Sequence, residues 1–222
     1  RLPGDFTIKV AKVRGIESSG MLCSAKELGI AEEASGLLVL PADAPVGLSI
    51  REYLDLDDNV FELKLTPNRA DCLSLTGVAR EVAAIAGAQV KFVAVPEVAA
   101  TIPDQREVIL DTPAACPLYC GRVIKGVDAR AATPDWMKRR LERSGIRAIS
   151  ALVDVTNYVM LELGQPLHAF DNTKLEGAVH ARMSRTGEKL LLLNEQTIAI
   201  DSDVLVIADD AKPLAMAGIM GG

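Results

Sequence analysis

Val153-Asp-Val-Thr-Asn-Tyr-Val-Met-Leu-Glu-Leu-Gly-Gln-Pro-Leu-His-Ala-Phe-Asp171 is the stretch on which the fold of the C-terminal half turns. Ser150 stands ahead of it as a candidate helix N-cap, and Gly164 with Pro166 supplies the chemistry that stops a helix. That punctuation predicts a helix over 150–163. Against it, Val153, Val155, Thr156, Tyr158 and Val159 are β-branched or aromatic, so by local propensity a strand is a fair rival.

The flanks frame this segment. Upstream, Thr133-Pro134 reads as an N-cap followed by proline at the first helical position, and Gly145 closes a helix rich in basic residues. Strands are expected at 108–110 and 119–127. Downstream from Ala178, short apolar runs separated by Gly187, Asn194 and Asp209-Asp210 predict a mainly antiparallel β layer.

Further toward the N-terminus, residues 6–13 alternate apolar and charged side chains, the period of a half-buried strand, and 15–20 supply turn residues. Another strand is expected at 36–40, then a loop over 41–47 and a short helix around 50–54. Residues 60–65 alternate again before Thr66-Pro-Asn68 breaks the pattern. The clearest helical pattern runs over 70–86, where Cys72, Leu75, Val78, Val82 and Ile85 keep a spacing of three and four and Gly87 suits a left-handed stop. Residues 93–106, rich in Ala, Val and Pro, read as a linker. The expected class is α+β: a β-rich first region like the tail of a barrel, a small strand-helix subdomain, and a mixed α/β domain with mainly antiparallel strands.

Composition sets the outer limits. A chain of 222 residues can hold two or three units, and 49% apolar with 24% charged residues is the balance of an ordinary globular protein. Apolar runs such as 190–193 are far shorter than the roughly 20 residues a membrane helix needs. The chain starts at Arg1 with no leader pattern and stops at Gly222 just after an apolar strand-like run, so both ends are expected to be cuts in a longer protein. Cys23, Cys72, Cys116 and Cys120 show neither a C-x-x-C pair nor histidine at metal-ligand spacing, which points to reduced thiols of a cytoplasmic protein.

The net charge of −6 opposes a whole-surface attraction to nucleic acid. Local charge differs. Between Cys120 and Ile149 stand eight basic residues, Arg122, Lys125, Arg130, Lys138, Arg139, Arg140, Arg143 and Arg147, against Asp128, Asp135 and Glu142. Such a cluster reads either as a solvated helix face or as the place where a phosphate backbone lies.

Three motifs together carry a family resemblance. Val13-Arg-Gly-Ile-Glu-Ser-Ser-Gly-Met-Leu-Cys-Ser24, Thr66-Pro-Asn-Arg-Ala-Asp-Cys72 with Gly77-Val-Ala-Arg80, and the segment from Val153 to Asp171 resemble, in order and spacing, the beta subunit of bacterial phenylalanine–tRNA ligases. The resemblance implies that 1–56 are the end of a tRNA-binding oligonucleotide-fold domain, 57–95 complete an N-terminal subdomain, 96–107 link, and 108–222 form an editing domain cut at its C-terminus. It also favours the helical reading of 150–163.

In that family the editing domain hydrolyses tyrosine wrongly esterified to phenylalanine tRNA. A pocket shaped for phenylalanine rejects an added hydroxyl poorly, whereas a second site that hydrogen-bonds the hydroxyl discriminates in the opposite sense. The positions resembling the family's editing pocket are Arg147, Thr156, Asn157, His168 and Gly221. The resemblance makes His168 the group that orients the ester or the attacking water, and Arg147 a fork of donors for phosphate or ribose. On the residues alone, a lone histidine on an apolar run such as His168 is more often a hydrogen-bonded core residue than a catalyst, Arg147 reads equally as half of an ion pair, Thr156 and Asn157 as a packed polar pair, and Gly221 as a turn glycine. The family's carboxylate that reads the tyrosine hydroxyl is expected beyond Gly222. The resemblance further implies a heterotetramer of two alpha and two beta subunits, with ATP and Mg²⁺ used by the whole enzyme and none bound by this stretch. Two other readings stand beside it: a cysteine hydrolase using Cys72 or Cys120, and a non-catalytic tRNA-binding scaffold.

Overall fold

The protein is described by a computed structural model covering residues 2–31, 33 and 35–222. Contacts divide it into two compact units, Arg1–Asn59 and Val60–Gly222.

In the first unit, β1 (Ala11–Val13) and β2 (Ile16–Ser18) form an antiparallel hairpin with Lys12 opposite Glu17. Arg14 and Gly15 turn it with φ of 50° and 84°, the two positive values that match the twist of a tight hairpin. The alternation over 6–13 becomes ladder only in its last three residues, and the expected turn over 15–20 holds the return strand. Residues 36–40 form no strand; Leu38 donates a single backbone bond to Cys23 O at 3.0 Å. None of the unit's described residues is buried, so apolar alternation there has no core to face. A short α1 (Ile50–Tyr53) stands where a helix was expected. Among the described residues these strands close no barrel.

The second unit begins with 60–65 outside any ladder, although the residues alternate; Val60, Phe61 and Leu63 are exposed. The helix expected over 70–86 divides in two. Ala70–Cys72 is a 3₁₀ turn, and α2 (Leu75–Ala86) starts after Ser74, whose hydroxyl accepts the Gly77 N–H at 2.9 Å. Ser74 thus competes for the backbone where helical spacing alone predicted continuity. Gly87 ends α2 at φ 63°. Arg69 clamps the turn to α2 through Glu81 and Asp71, and Thr76 Oγ1 donates to Glu162 O at 2.8 Å.

A five-stranded mixed sheet dominates the unit. Its strands are β3 (Val108–Leu110), β4 (Val179–Met183), β7 (Leu205–Ala208), β8 (Pro213–Met216) and β9 (Met220–Gly221), in that spatial order; β3 and β4 are parallel and the other pairs antiparallel. Between β4 and β7, β5 (Lys189–Leu191) and β6 (Thr197–Ala199) make a separate hairpin. The period of two sorts side chains into two clusters. Val179, Ala181, Ile207 and Ala215 pack with Val108, Leu110, Tyr119, Phe170 and Leu175, while Val206 and Ala208 pack with Leu190, Leu192 and Ile200. Each fully buried aliphatic side chain contributes about 1.5–3 kcal/mol.

Two helices complete the unit. α3 (Asp135–Arg143) buries Met137 and Leu141, and α4 (Ala151–Leu163) settles the disputed stretch as helix. Tertiary capping overrides β propensity in α4: Asp154 is fully buried, its Oδ1 accepts the Ile149 N–H at 2.9 Å, and Gly164 closes the far end at φ 79°. Thr133 does not cap α3. Pro134 occupies the N-cap position and Asp135 is the first helical residue, because the Thr133 hydroxyl donates to Asp154 Oδ2 instead. Nor is 119–127 a strand; Tyr119 turns its ring onto the sheet.

Candidate functional site

After Gly164 the chain leaves α4 through Gln165 and Pro166 in non-helical form and delivers His168 to an aromatic platform. The imidazole lies near-parallel to the rings of Phe170 and Tyr119, at 5.5 Å and 27° and at 6.3 Å and 20°. Tyr119 Oη is 3.2 Å from His168 Nδ1. Phe170 and Tyr119 are themselves packed against Val179, Ala181, Ile207 and Ala215, so the sheet core fixes the platform. Burial lowers the His168 pKa and keeps the ring neutral at pH 7. Burial, with Cys116 nearby, pushes the Tyr119 phenol up to about 12, so it keeps its proton. The family resemblance singled out His168 but not Tyr119, which lies 49 positions away and was expected in a strand.

The other expected residues are less tightly held. Arg147, in the segment between α3 and α4, is exposed and has no hydrogen bond or ion pair with another described residue. Thr156 Oγ1 donates back to Val153 O at 2.7 Å, a local helix bond, and Asn157 stands next to it about 100° around α4. Gly221 sits in β9 opposite Ala215, and its carbonyl accepts the Leu193 N–H at 3.2 Å. It is a strand glycine, not a turn glycine; a Cβ there would lie 3.3 Å from Leu193 Cδ1. None of these four forms a hydrogen bond or ring contact with His168.

An open groove of about 450 Å³ lies elsewhere, between the α3 and α4 N-termini, lined by Arg130, Thr133, Lys138, Ile149, Ser150 and Asp154 among others. Basic residues of α3 are partly engaged: Arg140 donates to Tyr158 Oη at 2.7 Å and covers the Trp136 ring at 5.4 Å, while Lys138, which lines the groove, is 3.9 Å from Glu142.

The second histidine forms a separate cluster. His180 Nδ1 lies 2.7 Å from Asp111 Oδ2 and its Nε2 lies 2.9 Å from Asp210 Oδ1, and these two carboxylates raise its pKa. Asp209, next to Asp210 in the chain, is pushed up by burial, yet the N–H groups of Glu176, Lys212 and Ala211 outweigh that and hold it below its ordinary value. Cys72 is a buried thiol whose pKa is raised, first by burial, which suits packing rather than nucleophilic attack. All four cysteines are free, and no group of three or more His, Cys, Asp and Glu residues suited to a metal ion exists among the described residues. No helix among them is long and apolar enough to cross a membrane.

Comparison with known proteins gives the arrangement its context. Residues 115–222 match the B3/4 domain family, and residues 6–49 match the family described as "Putative tRNA binding domain". This combination, a tRNA-binding segment followed by a B3/4 domain, defines a subunit of an aminoacyl-tRNA synthetase. More narrowly, the chain belongs to the phenylalanine–tRNA ligase beta subunits. It is 82% identical over 222 residues to the one from Dechloromonas aromatica, 63% over 225 to that from Aromatoleum aromaticum and 61% over 223 to that from Methylococcus capsulatus. All of the chain is matched, and it spans 28% of the length of these curated relatives.

Proposed function

We propose that this chain is the stretch of a phenylalanine–tRNA ligase beta subunit that binds tRNA and hydrolyses tyrosine mischarged onto phenylalanine tRNA. The observation that carries the reading is a neutral histidine held on an aromatic platform above the sheet, within residues that match the B3/4 domain. His168 orients the ester or the attacking water, Arg147 offers its exposed guanidinium fork to the phosphate or ribose of the terminal nucleotide, and Thr156, Asn157 and Gly221 shape the amino-acid side. The preceding segments are assigned in the same reading: 1–56 as the end of the oligonucleotide-binding fold, 57–95 as the completion of the N-terminal subdomain, and 96–107 as linker.

The whole enzyme, in this reading, attaches phenylalanine to its tRNA with ATP and Mg²⁺ in the cytoplasm, as an assembly of two alpha and two beta subunits. This reading places neither ATP nor Mg²⁺ on this stretch; among the described residues no group of three or more His, Cys, Asp and Glu is suited to a metal ion. Those roles fall to the alpha subunit.

The test is hydrolysis of tyrosine-charged phenylalanine tRNA by the intact ligase, against His168→Ala and Arg147→Ala, with phenylalanine-charged tRNA as control. Tyrosine-selective hydrolysis that falls in both variants while phenylalanine charging persists is the expected outcome. Binding of the mischarged tRNA with no hydrolysis by the parent identifies a scaffold instead.

A further inference from the structure

We propose that Tyr119 is a positioning residue of this site: its hydroxyl donates to Nδ1 of His168 and so holds the imidazole proton on Nε2, where the ring serves the substrate as a hydrogen-bond donor. The proposal rests on the reading of His168 as the orienting group for ester hydrolysis.

The geometry is direct. Tyr119 Oη and His168 Nδ1 are 3.2 Å apart. A phenol is a stronger donor than a neutral imidazole N–H, and an sp² imidazole nitrogen is a stronger acceptor than a phenol oxygen, so the bond runs from Tyr119 to His168. Burial supports that direction on both sides, because the phenol keeps its proton and the imidazole stays neutral. Burial alone lowers the His168 pKa, and the groups facing the ring are Tyr119 and Phe170, with Cys116 acting on Tyr119.

A neutral imidazole has one N–H. With Nδ1 accepting, Nε2 carries the hydrogen and cannot act as a base. It can donate to the ester carbonyl or to another acceptor oxygen at the reacting centre, which is an orienting and charge-stabilising role. The rings of Tyr119 and Phe170 hold the imidazole plane near-parallel to their own, and both are anchored in the sheet core, so tautomer and orientation are set together.

The experiment uses the intact ligase and tyrosine-charged phenylalanine tRNA, with Tyr119→Phe, which removes the hydroxyl and keeps the ring. At neutral pH, kcat is expected to fall about three- to tenfold with KM unchanged, the loss of one neutral hydrogen bond at the reacting group. The deficit should shrink as the pH is lowered through the His168 titration, because an imidazolium carries hydrogen on both nitrogens whatever its partner. A deficit equal at every pH, or none, while His168→Ala remains inactive, overturns the role of Tyr119 alone. If His168→Ala hydrolyses the ester as fast as the parent, the editing reading falls and the proposal with it. Phenylalanine charging by the same preparation reports folding. Should Tyr119→Phe lose charging as well, 3-fluorotyrosine at this position, which retains ring and hydroxyl, must restore hydrolysis; failure to do so also overturns the proposal.

Discussion

The carboxylate of Asp154 on α4 accepts the hydroxyl of Thr133 at 2.5 Å, joining the chain before α3 to the first turn of α4. Its other oxygen accepts the Ile149 N–H at 2.9 Å, and the side chain is completely shielded from solvent. A buried carboxylate held by these two donors among the described residues is costly to disturb, since removing it takes the acceptor from a hydroxyl and an N–H. Asp154→Ala should therefore destabilise the protein by about 2–4 kcal/mol, whereas Asp154→Asn, which keeps an acceptor for Ile149 and a polar partner for Thr133, should cost less than half of that. Thermal denaturation of the two variants side by side measures the difference.

His180 gives stability a pH dependence of definite sign. Its pKa is raised by Asp111 and then by Asp210, so the stabilisation from its proton is fully present below the ordinary histidine value, about 6.5, and is lost as pH rises through the higher folded value. Asp210 behaves in the opposite sense. Its pKa is lowered, first by His180 and then by the Ala178 N–H, while neighbouring Asp209 opposes the shift, so its contribution is lost as pH falls through the depressed value. The clamp is strongest between these limits. His180→Gln should flatten the decline in thermal midpoint on the alkaline side of about 6.5, and a parallel decline in parent and variant would exclude the clamp as its origin.

Two glycines separate packing from function. A Cβ on Gly77 would lie 2.1 Å from the backbone oxygen of Asp71, with no flexible side chain to yield, so α2 and the preceding 3₁₀ turn meet so closely only because this residue is glycine. Gly77→Ala should cost about 2–4 kcal/mol, as overpacking against backbone does. A Cβ on Gly221 would instead meet the movable end of Leu193 at 3.3 Å. Gly221→Ala should thus leave the thermal midpoint nearly unchanged, and any loss of tyrosyl-tRNA hydrolysis in that variant then belongs to the site rather than to the fold.

What the sequence disclosed follows from where its information is local. The α2 stop at Gly87, the short α1, and the strand punctuation after Ala178 were legible because capping and turn chemistry act within a few residues. The strands expected at 36–40, 60–65 and 119–127 were not found, since an apolar run or an alternation describes a local pattern and says nothing of a ladder partner. The break before α2 was missed because Ser74 looks like any polar residue within a helical stripe until its hydroxyl is seen on Gly77 N–H. His168 was legible through its motif, but Tyr119 and the carboxylates around His180 were not: these pairings span 49, 69 and 30 residues, and no spacing rule connects them.

Arg147 offers the cleanest test of the substrate side of the site. Arg147 is exposed and bonds to no described residue, so Arg147→Ala should leave the thermal midpoint nearly unchanged. Arg139 and Lys138 on nearby α3 are also basic, and a nonspecific loss of positive charge would weaken tRNA binding equally when any of them is replaced. A guanidinium acting as a planar fork on one phosphate or ribose behaves differently, because geometry and not charge alone is lost. Arg147→Lys should therefore recover little of the hydrolysis lost in Arg147→Ala, while Arg139→Lys should be indistinguishable from the parent. Measured with tyrosine-charged phenylalanine tRNA at two salt concentrations, a defect of Arg147→Lys that persists at both marks a specific contact, and one that vanishes at low salt reduces Arg147 to part of a general basic surface.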